Sequence, residues 1–170
     1  MVGLIGSHGV GKTTLLKYLS EKNPDVVVTD GTSRIVKSFN EEIGGRLSDR
    51  EQQLLINRIS DAQWNNEIKT ENLFSTRTPL DHYAYSLACG MPDYAAERLR
   101  LLLRSDYKKV KFFYIPIEFD IEDDGVRYTD KEFQKQIDET LVSLIEKLDI
   151  SVIKLTGSVE ERLETLLKNI

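Results

Sequence analysis

A single cysteine, Cys89, is all the thiol chemistry this chain has. One thiol cannot close an internal disulfide, which suits a reducing compartment. Long hydrophobic runs are missing too. No apolar stretch approaches the ~18 residues that a membrane-spanning helix needs, and the apolar run at the start, Val2 to Ile5, is too short for a signal peptide. A basic excess is also lacking. The net charge is −5, from 23 basic and 28 acidic residues, whereas gripping a nucleic-acid backbone takes Lys or Arg against each contacted phosphate. Nucleic acid is therefore not the favoured partner, although a local basic groove is allowed. Repeats, linkers and low-complexity tracts are absent. These absences point to a soluble cytoplasmic protein, and 170 residues suit one domain, 1–170. Its composition, 40% hydrophobic and 30% charged, is that of an ordinary globular chain.

Short apolar strands alternate with helical patterns along the chain. Val2–Ile5 reads as a strand, Lys12–Glu21 as a helix, and the β-branched run Asp25–Thr29 as a second strand. Ser48-Asp49-Arg50-Glu51 is a capping box opening a long polar helix to about Lys69. Asn72–Thr76 is a weak strand. Pro79 opens a helix with Leu80, Tyr83, Ala84 and Leu87 on one face, and Gly90 ends it. Pro92–Tyr107 repeats that pattern with Ala95, Leu99, Leu102 and Leu103. Val110–Ile115 is the most strand-like run. An acidic loop follows, then a helix with Phe133, Ile137, Leu141, Leu144, Ile145 and Leu148 inward. Ser151–Leu155 is a last strand, and Ser158 caps a last helix. Such alternation predicts an α/β fold of three layers, a mostly parallel five-stranded sheet with helices on both faces. Ligands in such folds sit beyond the carboxyl ends of the strands, here residues 6–13, 30–34, 76–81 and 116–127.

The first of these stretches carries a motif. Gly6-Ser7-His8-Gly9-Val10-Gly11-Lys12-Thr13 fits G-x-x-x-x-G-K-[ST], a phosphate-binding loop, between a strand and a helix as the motif requires. Its glycines permit close approach to phosphate. The N–H groups of residues 8–13 and the start of the following helix, with Thr14, supply donors and positive potential. Lys12 is expected at the β- and γ-phosphates and the Thr13 hydroxyl on Mg²⁺, with ATP as the nucleotide. His8, at a variable position, reads as backbone geometry or a contact with a neighbouring helix rather than as a catalyst.

A motor or switch of this class also needs an apolar strand ending in aspartate to hold Mg²⁺. None exists: the nearest, NLFST, ends in Thr76. D-x-x-G and N-K-x-D are absent as well. The remaining inventory suits transfer to an acceptor, which needs a carboxylate to orient a hydroxyl, arginines for the migrating charge, and a cover that excludes water. Asp30 and Arg34 follow the second strand. Arg77 and Asp81 follow the third. Arg127 sits in the acidic loop. Tyr85, with Asp81 and His82, lies on the polar side of its helix, and Asp81 and Tyr85 are expected to contact the acceptor. Trp64 reads as packing, Arg100 and Arg104 as solvated, and Glu122-Asp123-Asp124 as a solvated run.

Four blocks, GSHGVGKTT, DGTSR, TRTPLDHYAY and DDGVRYTD, together with the closing TGSVEER, resemble the family of small P-loop kinases that includes the nicotinamide-riboside kinase domain of NadR, akin in fold to thymidylate and deoxynucleoside kinases. The resemblance spans nearly the whole chain. It implies a P-loop NTPase fold with a lid at approximately 117–130 and an ATP-dependent kinase of a nucleoside, nucleotide or related small molecule. It implies Asp30 as the acceptor-side carboxylate, Arg34 and Arg77 lining the acceptor and phosphate channel, Arg127 as a lid arginine, and Gly157 and Ser158 near the nucleobase. Two positions depart from the family pattern: Asp30 stands where Glu is usual, and Thr76 where the Asp of D-R is usual. A polynucleotide kinase and a non-catalytic nucleotide-binding or regulatory ATPase are the alternatives.

Overall fold

A computed structural model describes residues 1–29, 32–42, 44–120 and 130–170, without the side chains of Ser33, Arg34 and Asp49. Five strands, β1 (Val2–Ile5), β2 (Val27–Thr29), β3 (Leu73–Ser75), β4 (Lys111–Tyr114) and β5 (Val152–Lys154), form one sheet in the order β2-β3-β1-β4-β5. Every pairing is parallel, and β1 lies at the centre between β3 and β4. The chain thus runs first to one side of β1 and then to the other, which puts the topological switch point at the carboxyl end of β1.

Adjacent residues of a strand face opposite ways, and the core divides accordingly. On one face, Leu4, Phe74 and Phe113 meet α1 (Lys12–Lys22) and α7 (Val159–Lys168) through Leu15, Leu16, Leu19, Leu163 and Leu166. On the other, Ile5 and Phe112 meet α4 (Pro79–Ala88), α5 (Pro92–Arg104) and α6 (Lys131–Lys147) through Leu80, Ala84, Leu102, Ile137 and Leu141. Each such buried side chain contributes about 1.5–3 kcal/mol of transfer free energy. The expected three-layer α/β architecture with five strands is the one observed.

β1 has the expected bounds, whereas β2 to β5 are one or two residues shorter at their ends than their apolar runs, because pairing stops before apolar character does. A helix, α2 (Thr32–Glu42), was not anticipated from the sequence; it packs on α3 (Asp49–Glu67) beside edge strand β2. Two residues expected inward, Leu87 and Leu103, are 36% and 52% exposed. On α5 the inward place goes to Arg98, 3% exposed. Its guanidinium donates to Asn57 O at 2.7 Å and pairs with Asp61 on α3. Arg100 and Arg104 are exposed, as expected.

Candidate active site

The loop between β1 and α1 is shaped by its glycines. Gly9 and Gly11 have φ of +77° and +91°, in the left-handed region. A Cβ on Gly6 would stand 2.6 Å from the main-chain oxygen of Ile115, so only glycine fits there. Gly11 caps α1 without any side-chain acceptor, and no acidic residue occupies the first turn. The first amides of α1 therefore keep their donors for a ligand, and an anion suits them. Lys12 is buried, and its Nζ donates to Gly6 O and, at 2.6 Å, to Ser7 O. The ammonium is folded over the loop that a phosphate would enter. Thr13 is partly exposed and Thr14 exposed. Among the described residues no cluster of three acidic or imidazole groups could hold a metal by itself. Such a cluster is not needed for Mg²⁺, which here would take the Thr13 hydroxyl, phosphate oxygens and water.

The segment between β3 and α4 closes on this loop. Thr78 caps α4 and Asp81 completes the capping box. Asp81 is fully buried: its Oδ2 accepts from Thr78 N at 2.8 Å and Thr78 Oγ1 at 2.9 Å, and its Oδ1 from Gly6 N at 3.1 Å. This corrects the expectation that Asp81 contacts the acceptor. Both of its oxygens clamp the loop to α4, so the carboxylate has no open face. Arg77 lies alongside, 3.6 Å from Asp81, donating to Gly6 O and to Tyr85 Oη, each at 3.3 Å. Its guanidinium is 4.8 Å from the centre of the Tyr85 ring. Tyr85 turns toward Arg77 and the loop, with its hydroxyl 2.9 Å from His8 Nδ1. The bland reading of His8 holds to this extent: the side chain is buried against a neighbouring helix.

Beside Arg77 a narrow recess, with room for about one water molecule, lies between the ends of β2 and β3, the start of α2, and α3. Thr29, Thr32, Gln63, Trp64, Glu67 and His82 help to line it. Trp64 is 2% exposed and packs in the core as expected, yet its Nε1 has no hydrogen-bond partner among the described residues. Glu67, not singled out from the sequence, is buried there. Burial raises its pKa, and the Ser75 and Thr29 hydroxyls pull it part of the way back. One sequence signal was available: an acidic residue in the last turn of a helix opposes the macrodipole and needs a reason. Burial, then the positive charges of Arg77 and Arg98, lower the His82 pKa to about 3. A folded-state pKa below the unfolded value near 6.5 means the unfolded chain binds the extra proton. Stability should fall as pH drops from 6.5 toward 3, by a few kcal/mol from this group. Urea unfolding at pH 7 and pH 4.5 checks it: His82→Gln should flatten that slope relative to the unmodified chain.

On the far side of the loop, Arg162 of α7 is 3% exposed. It donates to Val10 O and to Glu118 Oε2, both at 2.7 Å. Slight burial works against it, but Arg162 and the Gly157 N–H hold Glu118 below the usual carboxylate range. The Phe119 ring stands over Arg162 at 5.4 Å and is 60% exposed. Ser158 accepts from Glu161 N at 3.2 Å as the cap of α7. Thr76, where a carboxylate was sought, is buried at the end of β3. Asp30, Arg127 and the run Glu122-Asp123-Asp124 lie outside the described residues, as does the Arg34 side chain.

A family model described as an AAA domain matches residues 1–162. No curated protein matches. Among solved structures, a NadR protein in complex with NR is similar with a TM-score of 0.71 at 17% identity, covering 98% of this chain and 50% of that one. This chain thus spans about half of that protein's length. A deoxyadenosine kinase from M. mycoides with bound dATP gives 0.62 at 12% identity, covering 98% and 97%. A thymidylate kinase from Candida albicans gives 0.63 at 15%, covering 98% and 88%. At such identities the likeness establishes the fold, that of P-loop kinases.

Proposed function

The chain belongs to the AAA-domain family, matched over residues 1–162, and on that footing we propose that it transfers the terminal phosphate of ATP to a nucleoside, nucleotide or related small molecule. One observation carries this reading. Arg77 lines the cavity beside β2 and β3 and also donates to Gly6 O of the phosphate loop. One cation therefore serves both the donor loop and the cavity, where a phosphate passing between them would need charge stabilisation.

In this reading Lys12 and the loop amides bind the β- and γ-phosphates; Thr13 would hold Mg²⁺, which would supply charge neutralisation there. Arg77 balances the charge of the migrating group. Asp30, which falls between the cavity residues Thr29 and Thr32, orients or deprotonates the acceptor hydroxyl. Arg127 is the further cation on the triphosphate side. Phe119, backed by Arg162, offers an exposed aromatic face for the nucleotide base beside Gly157.

The test is ADP release from ATP and Mg²⁺ with a panel of nucleosides and nucleoside monophosphates. At least one acceptor should raise turnover well above the acceptor-free rate, with stoichiometric phosphorylated product. If every acceptor leaves turnover at the basal rate while ATP binds, the kinase reading fails and a nucleotide-binding role replaces it.

A further inference from the structure

His8 stands in the donor loop and Arg77 at the cavity, and one phenol joins them. Tyr85 Oη is 2.9 Å from His8 Nδ1 and accepts from Arg77 Nη2 at 3.3 Å. A guanidinium can only donate. Arg77 therefore occupies one lone pair of the phenol oxygen; toward His8 Nδ1 the phenol either donates its proton or accepts on its second lone pair, according to the imidazole tautomer. In either case the Tyr85 hydroxyl bridges Arg77 and the His8 ring.

Packing keeps the bridge in place. The His8 ring centre lies 6.0 Å from that of Tyr85 and 5.9 Å from that of Phe133, and Tyr85 and Phe133 meet edge to face at 6.2 Å. The main-chain oxygen of His8 accepts from Gln134 Nε2 of α6 at 2.7 Å, and Gln134 is buried. The loop at His8 is thus held by α4 through its side chain and by α6 through its backbone. Arg77 is otherwise held by Gly6 O at 3.3 Å and Asp81 at 3.6 Å.

We propose that Tyr85 is a positioning residue that couples the donor loop to the acceptor side: its hydroxyl bridges the Arg77 guanidinium and the His8 ring, so the loop's conformation sets where the transfer cation stands. The proposal rests on the kinase reading above, with Arg77 as the cation of the transfer step. The role proposed for Tyr85 is exerted through Arg77. Its contribution belongs to kcat rather than to ATP binding, because a misplaced guanidinium weakens the transition state more than the ground state.

Two measurements decide it. The first uses the fastest acceptor of the panel. Tyr85→Phe keeps the ring over Arg77 and the packing on Phe133 while removing the hydroxyl. His8→Ala removes the ring nitrogen bonded to the phenol, whereas His8→Asn puts an amide, able to donate or accept, near the place of Nδ1. Tyr85→Phe and His8→Ala should each lower kcat roughly ten- to a hundredfold, with ATP affinity by calorimetry within about threefold. The double variant should be no worse than the worse single one, since both break one bridge, and His8→Asn should recover most of the rate. Additive losses, or losses that follow ATP affinity and melting temperature, would overturn the proposal. The second measurement needs no acceptor. In ¹⁵N spectra of the His8 ring, Arg77→Met should shift the Nδ1 and Nε2 signals when Tyr85 is present and leave them unmoved beside Tyr85→Phe. His8 signals that ignore Arg77→Met in the presence of Tyr85 sink the relay, whether or not the panel yields an acceptor. An empty panel with the spectral coupling intact refutes the kinase reading and, with it, the kcat role of Tyr85, but not the relay.

Discussion

Lys12→Ala is expected to lower phosphate transfer by on the order of 10³-fold. The argument begins with where the ammonium is. Lys12 is 6% exposed and donates to Gly6 O and Ser7 O, so it is desolvated before any ligand arrives. A triphosphate entering the loop offers charged oxygens in place of two neutral carbonyls, and charge-assisted bonds are roughly twice as strong. The gain grows as negative charge builds on the bridging oxygen during transfer. Removing the side chain loses that differential term and leaves the carbonyls to water. Lys12→Arg should not restore the rate, because a planar fork cannot take the place of a point charge in a loop of this size. ATP affinity should fall by roughly tenfold, and the melting temperature should change little, since a buried cation is itself costly. Transfer assays beside calorimetry and thermal unfolding separate the three quantities. A variant that retains transfer within about tenfold would remove Lys12 from the mechanism.

The loop and the layers around it were legible in the sequence because their causes are local. Glycine at positions 6, 9 and 11 answers to backbone geometry, and strand alternation such as Leu4 against Ile5 answers to the two faces of a sheet. What escaped depends on distant partners. Arg98 turns inward, where Leu103 was expected, because Asn57 O and Asp61 on α3 receive it; no helical period could reveal that. Asp81 and His82 read as the polar side of α4, but the start of that helix is enclosed on every side, by the sheet, the loop and α3. The Asp81 role had a local trace all the same. Thr78-Pro79-Leu80-Asp81 is a capping sequence with proline at the first helical position, and a carboxylate engaged in its own helix start is a poor candidate for a ligand contact. The Trp64 Nε1 became notable only when the ends of β2 and β3 came together around one cavity.

Asp81→Ala should destabilise the fold by about 3–5 kcal/mol, the range seen when one partner of a buried charged group is removed. Among the described residues the carboxylate is the acceptor for Gly6 N, Thr78 N and Thr78 Oγ1, at 3.1, 2.8 and 2.9 Å. Its loss strands two main-chain donors in a site with no exposed surface, each at about 1–3 kcal/mol, and deprives Arg77 of a counter-charge at 3.6 Å. Asp81→Asn separates shape from charge. An amide keeps the volume but has one oxygen, so it can serve Gly6 or Thr78 while its NH₂ confronts the other donor. Denaturant unfolding should therefore place Asp81→Asn below the unmodified chain, though less far than Asp81→Ala. If Asp81→Asn were as stable as the unmodified chain, the carboxylate would not be the clamp described. Transfer should fall in both variants even at temperatures where they remain folded, because Gly6 is released at the first residue of the loop while Arg77 loses one of its three polar anchors. A stability loss with the rate intact would mean that the loop holds its shape without α4, and that the donor and acceptor sides are joined by Arg77 alone.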